Sequence, residues 1–402
     1  MSVDPIDLGA ELEAWRARAR RFAQEEIVPR VDEAEATETF PRELFARAGA
    51  AGLIGSHYPV AAGGGGADLR AAMVIREEFS YRSVGISSGL GHQDHVGTAY
   101  LQRFGSAAQH EAWLGPALAG TYVIAMAITE PDAGSDVRRI RTTARPTSSG
   151  WVLSGRKTYI TNGPLADAIA LTARIAGTDR FGVFLVERGD RGFACERKLS
   201  KLGCRSSEVG ELVFDDVEVS DERRLSPEGG SPLDDILKVL VIGRLLVAAS
   251  ALGLGRRAID LALARAATRE TFGRPLLRRQ EISAMLAHAT TALRAAELLS
   301  YHAAAIAVDR GDVPILECSQ AKLLAAETAV EITDRMLRVF GGVGYLDDAE
   351  IARLYRDARF FTIVEGTAEI QHRIIASRLD PTLDPEPSTV GSRPTARRKT
   401  RI

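Results

Sequence analysis

Ile363-Val364-Glu365-Gly366-Thr367-Ala368-Glu369-Ile370-Gln371 sets a carboxylate beside a glycine and a threonine. The glycine lets a substrate approach the backbone closely, and the threonine hydroxyl can donate a hydrogen bond. A carboxylate buried next to apolar Ile363 and Val364 has its pKa raised toward neutrality, which suits it to take a proton from carbon. The same residues also read as a helix start, with Glu and Thr serving as caps. Three more segments carry side chains able to do chemistry. Ala127-Ile128-Thr129-Glu130-Pro131-Asp132-Ala133-Gly134-Ser135-Asp136 offers backbone amides, a threonine hydroxyl and Ser135 on a turn, a polar edge for a planar heterocycle. Gly155-Arg156-Lys157-Thr158-Tyr159-Ile160-Thr161-Asn162-Gly163 holds an aromatic at its middle and a turn at its end. In Arg269-Glu270-Thr271-Phe272-Gly273-Arg274-Pro275-Leu276, Arg269 and Thr271 could bind a pyrophosphate. Each segment alone is compatible with simple turn chemistry.

Several other site classes find no support. No Gly-x-Gly-x-x-Gly joins a strand to a helix, and no Gly-x-Ser-x-Gly elbow occurs. The glycine run Gly63–Gly66 is followed by no Lys-Ser/Thr pair and reads as a structural loop. The seven histidines show no metal spacing, and His92 with His95 reads as structural or surface, so no metal site is expected.

These segments must be positioned by three kinds of element. From about residue 8 to 120 apolar residues recur at helical spacing, as Leu12, Trp15, Ala19 and Phe22 do. From about 123 the period becomes two: Trp151 with Leu153, Ile169 with Leu171, Val183 with Leu185, Leu212 with Phe214. Short strands without long helices between them predict an antiparallel sheet or barrel. After about 234 the helical period returns, with alanine-rich stretches suited to close packing in an antiparallel bundle. The expected boundaries are a helical domain over 1–122, a β domain over 123–233, a helical bundle over 234–382 and a disordered basic tail over 383–402, with a linker at 227–231. At 402 residues, 45% hydrophobic and 26% charged, with a net charge of -2, the composition is that of a soluble globular protein. It gives no global attraction to nucleic acid or anionic membrane. Three scattered cysteines and the lack of a signal peptide or an 18-residue apolar run predict a cytoplasmic location.

In this order, the motifs resemble those of the acyl-CoA dehydrogenase family of flavoproteins over about residues 8–380. Lys201-Leu202-Gly203-Cys204-Arg205-Ser206-Ser207, Ser319-Gln320-Ala321-Lys322 and Phe340-Gly341-Gly342-Val343-Gly344-Tyr345 add to the match. The resemblance implies that family's fold: mainly α with a central antiparallel β domain, an N-terminal helical domain and a C-terminal four-helix bundle. It implies FAD, with Ile128 and Thr129 at the pyrimidine edge of the flavin, Tyr159 stacked where many members carry Trp, Thr161 near N5, and Ser135 serving both cofactor and substrate. It places Arg269, Thr271, Phe272 and Gln280 on the FAD of a neighbouring subunit, with Arg338, Gly341 and Gly342 also at the cofactor, where Arg338 replaces a common glutamine. Thr367 and Glu369 are cofactor contacts by the same match. Such sharing implies a homo-oligomer, a tetramer or a dimer.

The implied reaction is α,β-dehydrogenation of an acyl thioester, Glu365 taking the α-proton while the β-hydrogen leaves as hydride. In some relatives the base instead precedes an arginine on a bundle helix; here Gly243 precedes Arg244 and cannot serve. Arg244, Val364 and Gly366 are expected at the substrate. Val364 replaces a common Tyr, and Val241 stands where an Asp often contacts the pantetheine arm. Both acyl-CoA and an acyl carrier protein are therefore expected as thioester carriers to compare, with an electron-transfer flavoprotein as acceptor. A direct acyl-CoA oxidase is the alternative enzyme, and a helical scaffold without catalysis is a third reading.

Overall fold

Eight α-helices precede the first strand in the computed structural model, which describes residues 3–225, 232–311, 313–380 and 383, with backbone alone over 232–237. They are α1 (Ala10–Phe22), α2 (Val31–Thr37), α3 (Glu43–Ala50), α4 (Leu69–Ser80), α5 (Val84–Gly91), α6 (Ala99–Phe104), α7 (Ala107–Gln109) and α8 (Gly115–Leu118). Asp68 starts α4 by accepting from the Arg70 N–H, and Ser83 starts α5 by accepting from Ile86. The glycine run before α4 is structural: a Cβ on Gly64 or Gly65 would collide with the backbone of Tyr58 or Ser56.

Seven strands follow: β1 (Ile124–Ala127), β2 (Thr143–Thr147), β3 (Gly150–Thr161), β4 (Ala168–Ile175), β5 (Phe181–Glu187), β6 (Phe193–Lys198) and β7 (Val209–Val219). They form one sheet in the order β1-β4-β2-β3-β7-β6, with β5 on the other side of β4. The sheet is not wholly antiparallel as expected, because β1 and β2 both meet β4 in parallel. The intervening β2–β3 hairpin carries the chain across, and alternation of side chains cannot reveal strand direction. β4 and β5 are buried along almost their whole length, which explains their continuous apolar runs.

The C-terminal part holds α9 (Pro232–Thr268), α10 (Gln280–Arg310), α11 (Ile315–Phe340) and α12 (Glu350–Phe361) as the bundle, with α13 (Ala368–Leu379) packed on α11. A two-strand hairpin, β8 (Glu270–Thr271) with β9 (Arg274–Pro275), joins α9 to α10. Lys238–Thr268 is long and apolar enough to cross a membrane, but 78% of its most apolar window is buried inside the protein. It is the central bundle helix. α4 ties the parts together, since Ile75 and Phe79 join the core of the first helices and sheet while Ala72, Met73 and Val74 join the bundle core. Gly253 of α9 lets the α4 backbone at Glu77 come into direct contact. The expected linker at 227–231 and nearly all of the expected tail at 383–402 lie outside the described residues.

Candidate active site

Beyond α12 the Ile363 and Val364 N–H groups donate back to the Phe360 carbonyl at 3.0 and 3.2 Å. The chain then turns through two left-handed residues, Glu365 (φ 51°) and Gly366 (φ 85°). Glycine adopts this conformation freely; for glutamate it costs on the order of 1–2 kcal/mol. Three side-chain bonds hold the turn. Lys322 of α11 donates to the Gly366 carbonyl at 2.7 Å, and Gln371 Nε2 donates to the Glu365 and Gly366 carbonyls at 3.2 and 2.9 Å. Thr367 then caps α13, its hydroxyl accepting from the Ile370 N–H at 3.4 Å, with exposed Glu369 in the first turn. The cap and the candidate base are thus neighbouring residues with separate duties.

The Glu365 carboxylate lies on the bare backbone of Gly243 in α9: a Cβ there would stand 2.9 Å from Oε2. Oε2 is buried and has no hydrogen-bond partner among the described residues. Burial pushes the carboxyl up to about 7, outweighing the opposite pull of Arg244, Lys322 and Arg76. The burial does not come from Ile363, as the sequence suggested. That side chain is 57% exposed and Val364 is half-buried; α9 supplies the cover. Arg244 is itself buried, donates to Ser319 Oγ at 3.0 Å and keeps a buried Nε without a partner. Val241, one turn earlier, is buried in the bundle core.

A second cluster forms where β1 runs out beside β3. Lys157 is buried and donates at 2.8 Å both to the Ile128 carbonyl and to Glu130 Oε1. Glu130 also accepts from the Arg141 and Thr142 N–H groups, so its role is structural. The Thr158 N–H donates to the Thr129 carbonyl at 2.9 Å. Ile128, Thr129 and Tyr159, thirty residues apart in the chain, therefore share one edge. Tyr159 is left-handed (φ 58°) and 68% exposed, so a constrained backbone presents a bare aromatic face. Thr161 pairs with Val209 of β7, and next to it the buried Asn162 reaches the Gly89 carbonyl of α5 at 2.9 Å. Ser135 is exposed just beyond the Glu130–Ala133 turn. An exposed ring beside a polar main-chain edge suits a stacked planar heterocycle.

Three family models cover the chain: the acyl-CoA dehydrogenase N-terminal domain over 9–121, the middle domain over 125–217 and the C-terminal domain over 233–379. The chain belongs to the acyl-CoA dehydrogenase family. It is 38% identical to the 3-(aryl)acrylate reductase of Clostridium sporogenes, over 91% of this chain and 98% of that protein. It is 34% identical to the CarC subunit of the caffeyl-CoA reductase–Etf complex of Acetobacterium woodii, covering 90% and 97%. The fold matches the butyryl-CoA dehydrogenase structure from Megasphaera elsdenii with a TM-score of 0.87, at 31% identity, covering 94% of this chain and all of that one. The protein is an oxidoreductase acting on CH–CH groups, with FAD as its cofactor.

Seen within this family, the remaining expected residues fall elsewhere. Arg269, Thr271 and Phe272 occupy the β8–β9 hairpin, where Phe272 (φ 48°) and Gly273 (φ 75°) make a left-handed tip and the Phe272 ring is 97% exposed. Gln280 opens α10; Arg338, Gly341 and Gly342 end α11, all exposed. Arg265, one turn before Arg269, lies over the Phe340 ring at 6.0 Å, which brings the hairpin and the α11 end together. No hydrogen bond or ion pair among the described residues joins this second group to Tyr159 or Glu365. Three residues went unread in the sequence. Lys157 and Lys322 sit inside quoted motifs, yet only the fold shows them buried and holding main-chain carbonyls. Arg76 ends the buried apolar run Ala71–Ile75 of α4 and opens the charged run Arg76-Glu77-Glu78, and that change was the available signal.

Proposed function

We propose that Glu365 is the general base of an FAD-dependent α,β-dehydrogenation of an acyl-CoA thioester. The observation that carries this assignment is the carboxylate seated on Gly243, with an unpartnered buried oxygen and a pKa near neutrality. Such a group is deprotonated in part at pH 7 and keeps enough basicity to take a proton from carbon. The Glu365 N–H meets no acceptor among the described residues, which leaves it free to stabilise the thioester oxygen as negative charge develops. Lys322 and Gln371 hold the two carbonyls that follow it, those of Glu365 and Gly366, and so brace the turn that presents that N–H. FAD, when bound, accepts the β-hydrogen as hydride.

Ile128, Thr129, Ser135, Tyr159 and Thr161 would hold the flavin ring, and Thr367 and Glu369 lie next to the base. Val364 and Gly366 would line the thioester site, with Arg244 behind it. Arg269, Phe272, Gln280, Arg338, Gly341 and Gly342, all exposed, and half-buried Thr271 form a group at one end of the bundle, which supports a role on the FAD of a second copy in a homotetramer or dimer. A sedimentation measurement that finds only monomer with full FAD content would remove this part. The name of the CarC relative supports an electron-transfer flavoprotein as acceptor. The relatives named above are dehydrogenases and reductases, so the direct oxidase has no support from them. With Val241 buried in the core, a carrier protein remains a second thioester source to test against CoA; strong preference for the same acyl group on CoA would sink it. The free thiols of Cys195, Cys204 and Cys318 agree with a reducing cytoplasm.

The decisive experiment is anaerobic bleaching of bound flavin by acyl-CoA. Glu365→Gln should stay yellow and lose bleaching by at least about a thousandfold. Bleaching at the wild-type rate would refute the base.

A further inference from the structure

We propose that Arg76, with His57, His92 and His95 around it, receives a carboxylate at the far end of the acyl group, so that the preferred substrate is the monothioester of a short dicarboxylic acid. This rests on the acyl-thioester reading above. Arg76 is 8% exposed on α4. Its Nη1 donates to the Ser87 carbonyl at 2.7 Å, and its guanidinium lies against Gly91, where any side chain would collide with it. Its Nε is buried without a partner. The carboxylates that act on it, Asp94 and Glu365, do so from beyond ion-pair distance.

Two of the other buried arginines are treated differently: Arg16 and Arg256 are both ion-paired to Glu77 and Glu78, while Arg244, like Arg76, meets no carboxylate at ion-pair distance among the described residues and lies beside Glu365. A buried guanidinium that satisfies one backbone carbonyl and no carboxylate lacks the anion its desolvation calls for.

The surroundings are polar and incompletely satisfied. Both ring nitrogens of His57 and the Nδ1 of His95 are buried without partners, and the two rings lie 5.6 Å apart. His92 Nε2 accepts from the Met126 N–H at 3.1 Å, and Asp94 accepts from the Gly55 N–H at 2.6 Å. Burial holds His57 and His95 down to about 4 and His92 to about 3, with Arg76 adding to each. At neutral pH these rings are uncharged donors and acceptors, and Arg76 remains the cation.

Two bonds place this group relative to the reacting centre. His95 Nε2 meets the Val239 carbonyl at 3.0 Å, and Gly243, under the Glu365 carboxylate, follows four residues later on α9. That is one helical turn, about 6 Å. The His92 bond fixes the group to β1, whose chain continues into Ile128 and Thr129. An acyl group with its α-carbon at Glu365 therefore needs only a short span to bring a terminal carboxylate to Arg76. An apolar tail there would bury the cation against hydrocarbon. The chemistry at the α- and β-carbons is unchanged, and the distal carboxylate neither gains nor loses a proton.

The test compares anaerobic bleaching by glutaryl-CoA, its terminal methyl ester, butyryl-CoA and 3-phenylpropionyl-CoA, in wild type, Arg76→Gln and Arg76→Lys. In wild type, kcat/KM for glutaryl-CoA should exceed that for the methyl ester by about 100-fold, the scale of one lost buried charge pair. Arg76→Gln should abolish that ratio while retaining FAD, and Arg76→Lys should restore part of it. Methyl ester, butyryl or phenylpropionyl bleaching as fast as glutaryl in wild type overturns the proposal, whatever the variants do, and leaves the dehydrogenase reading intact. A ratio unchanged in Arg76→Gln also overturns it. Bleaching by none of the four overturns both.

Discussion

A carboxyl group poised near pH 7 makes a definite prediction about rate. Glu365 must be ionised to act, and its pKa is raised by burial to about 7. The kcat/KM for an acyl-CoA should therefore rise about tenfold per pH unit below 7 and level off above it. Stopped-flow bleaching across pH 5.5–8.5 checks this; a flat profile would place the proton elsewhere. At this residue the raised pKa expected from the sequence is found, but with a different cause. The type, the spacing and the expected pKa direction around Glu365 were legible. Its cover was not, because Gly243 lies 122 positions away and contributes only a missing side chain. Ile363, the adjacent apolar residue, turned outward instead. Arg76 was hidden for a similar reason: adjacency in sequence marks it as one charge in a helix, while the unpaired environment arises only when α4 meets α5.

Among the elements, the turn between α12 and α13 depends on α11. Lys322 is buried, and burial brings it down to about 8, yet its Nζ still holds the Gly366 carbonyl. Lys322→Met should leave α11 packed but release the turn, lowering bleaching by about 10- to 100-fold, as expected for loss of a buried hydrogen bond to a charged donor. FAD content, read from the visible spectrum, should hardly change. At the proposed flavin edge, Tyr159→Ala removes an exposed ring outside the buried core, so thermal stability of the apoprotein should stay within about 0.5 kcal/mol. FAD affinity should fall by roughly 3- to 10-fold, the scale of one aromatic stack. Periodicity revealed that helices give way to strands and then to helices. It could not show that β1 and β2 run parallel to β4, since direction is set by the connection and not by the pattern of side chains.

Across the whole molecule, a buried network joins α1, α4, α9 and α10. Arg256 bonds Glu77 and Glu78, Arg16 and Arg20 reach Glu78, and the Tyr301 hydroxyl donates to Glu77 at 2.8 Å. Arg256→Ala leaves two buried carboxylates short of a cation and should destabilise the protein by about 3–5 kcal/mol. Urea unfolding of the apoprotein measures this, and a change under 1 kcal/mol would show that water replaces the guanidinium. The contact between Gly243 and Glu365 has a different kind of consequence. The bare backbone of α9 and the end of the Glu365 side chain share one small volume, so a side chain at 243 would make the carboxylate shift. A glutamate introduced at 243 beside Glu365 would bring two carboxylates into contact and crowd the turn. Two carboxylates held this close could not both stay ionised, so a chain with glutamate at 243 and 365 would carry one of them protonated at neutral pH. Glycine at 243 thus keeps one carboxylate alone in the pocket, free to titrate without a second carboxylate to share its proton.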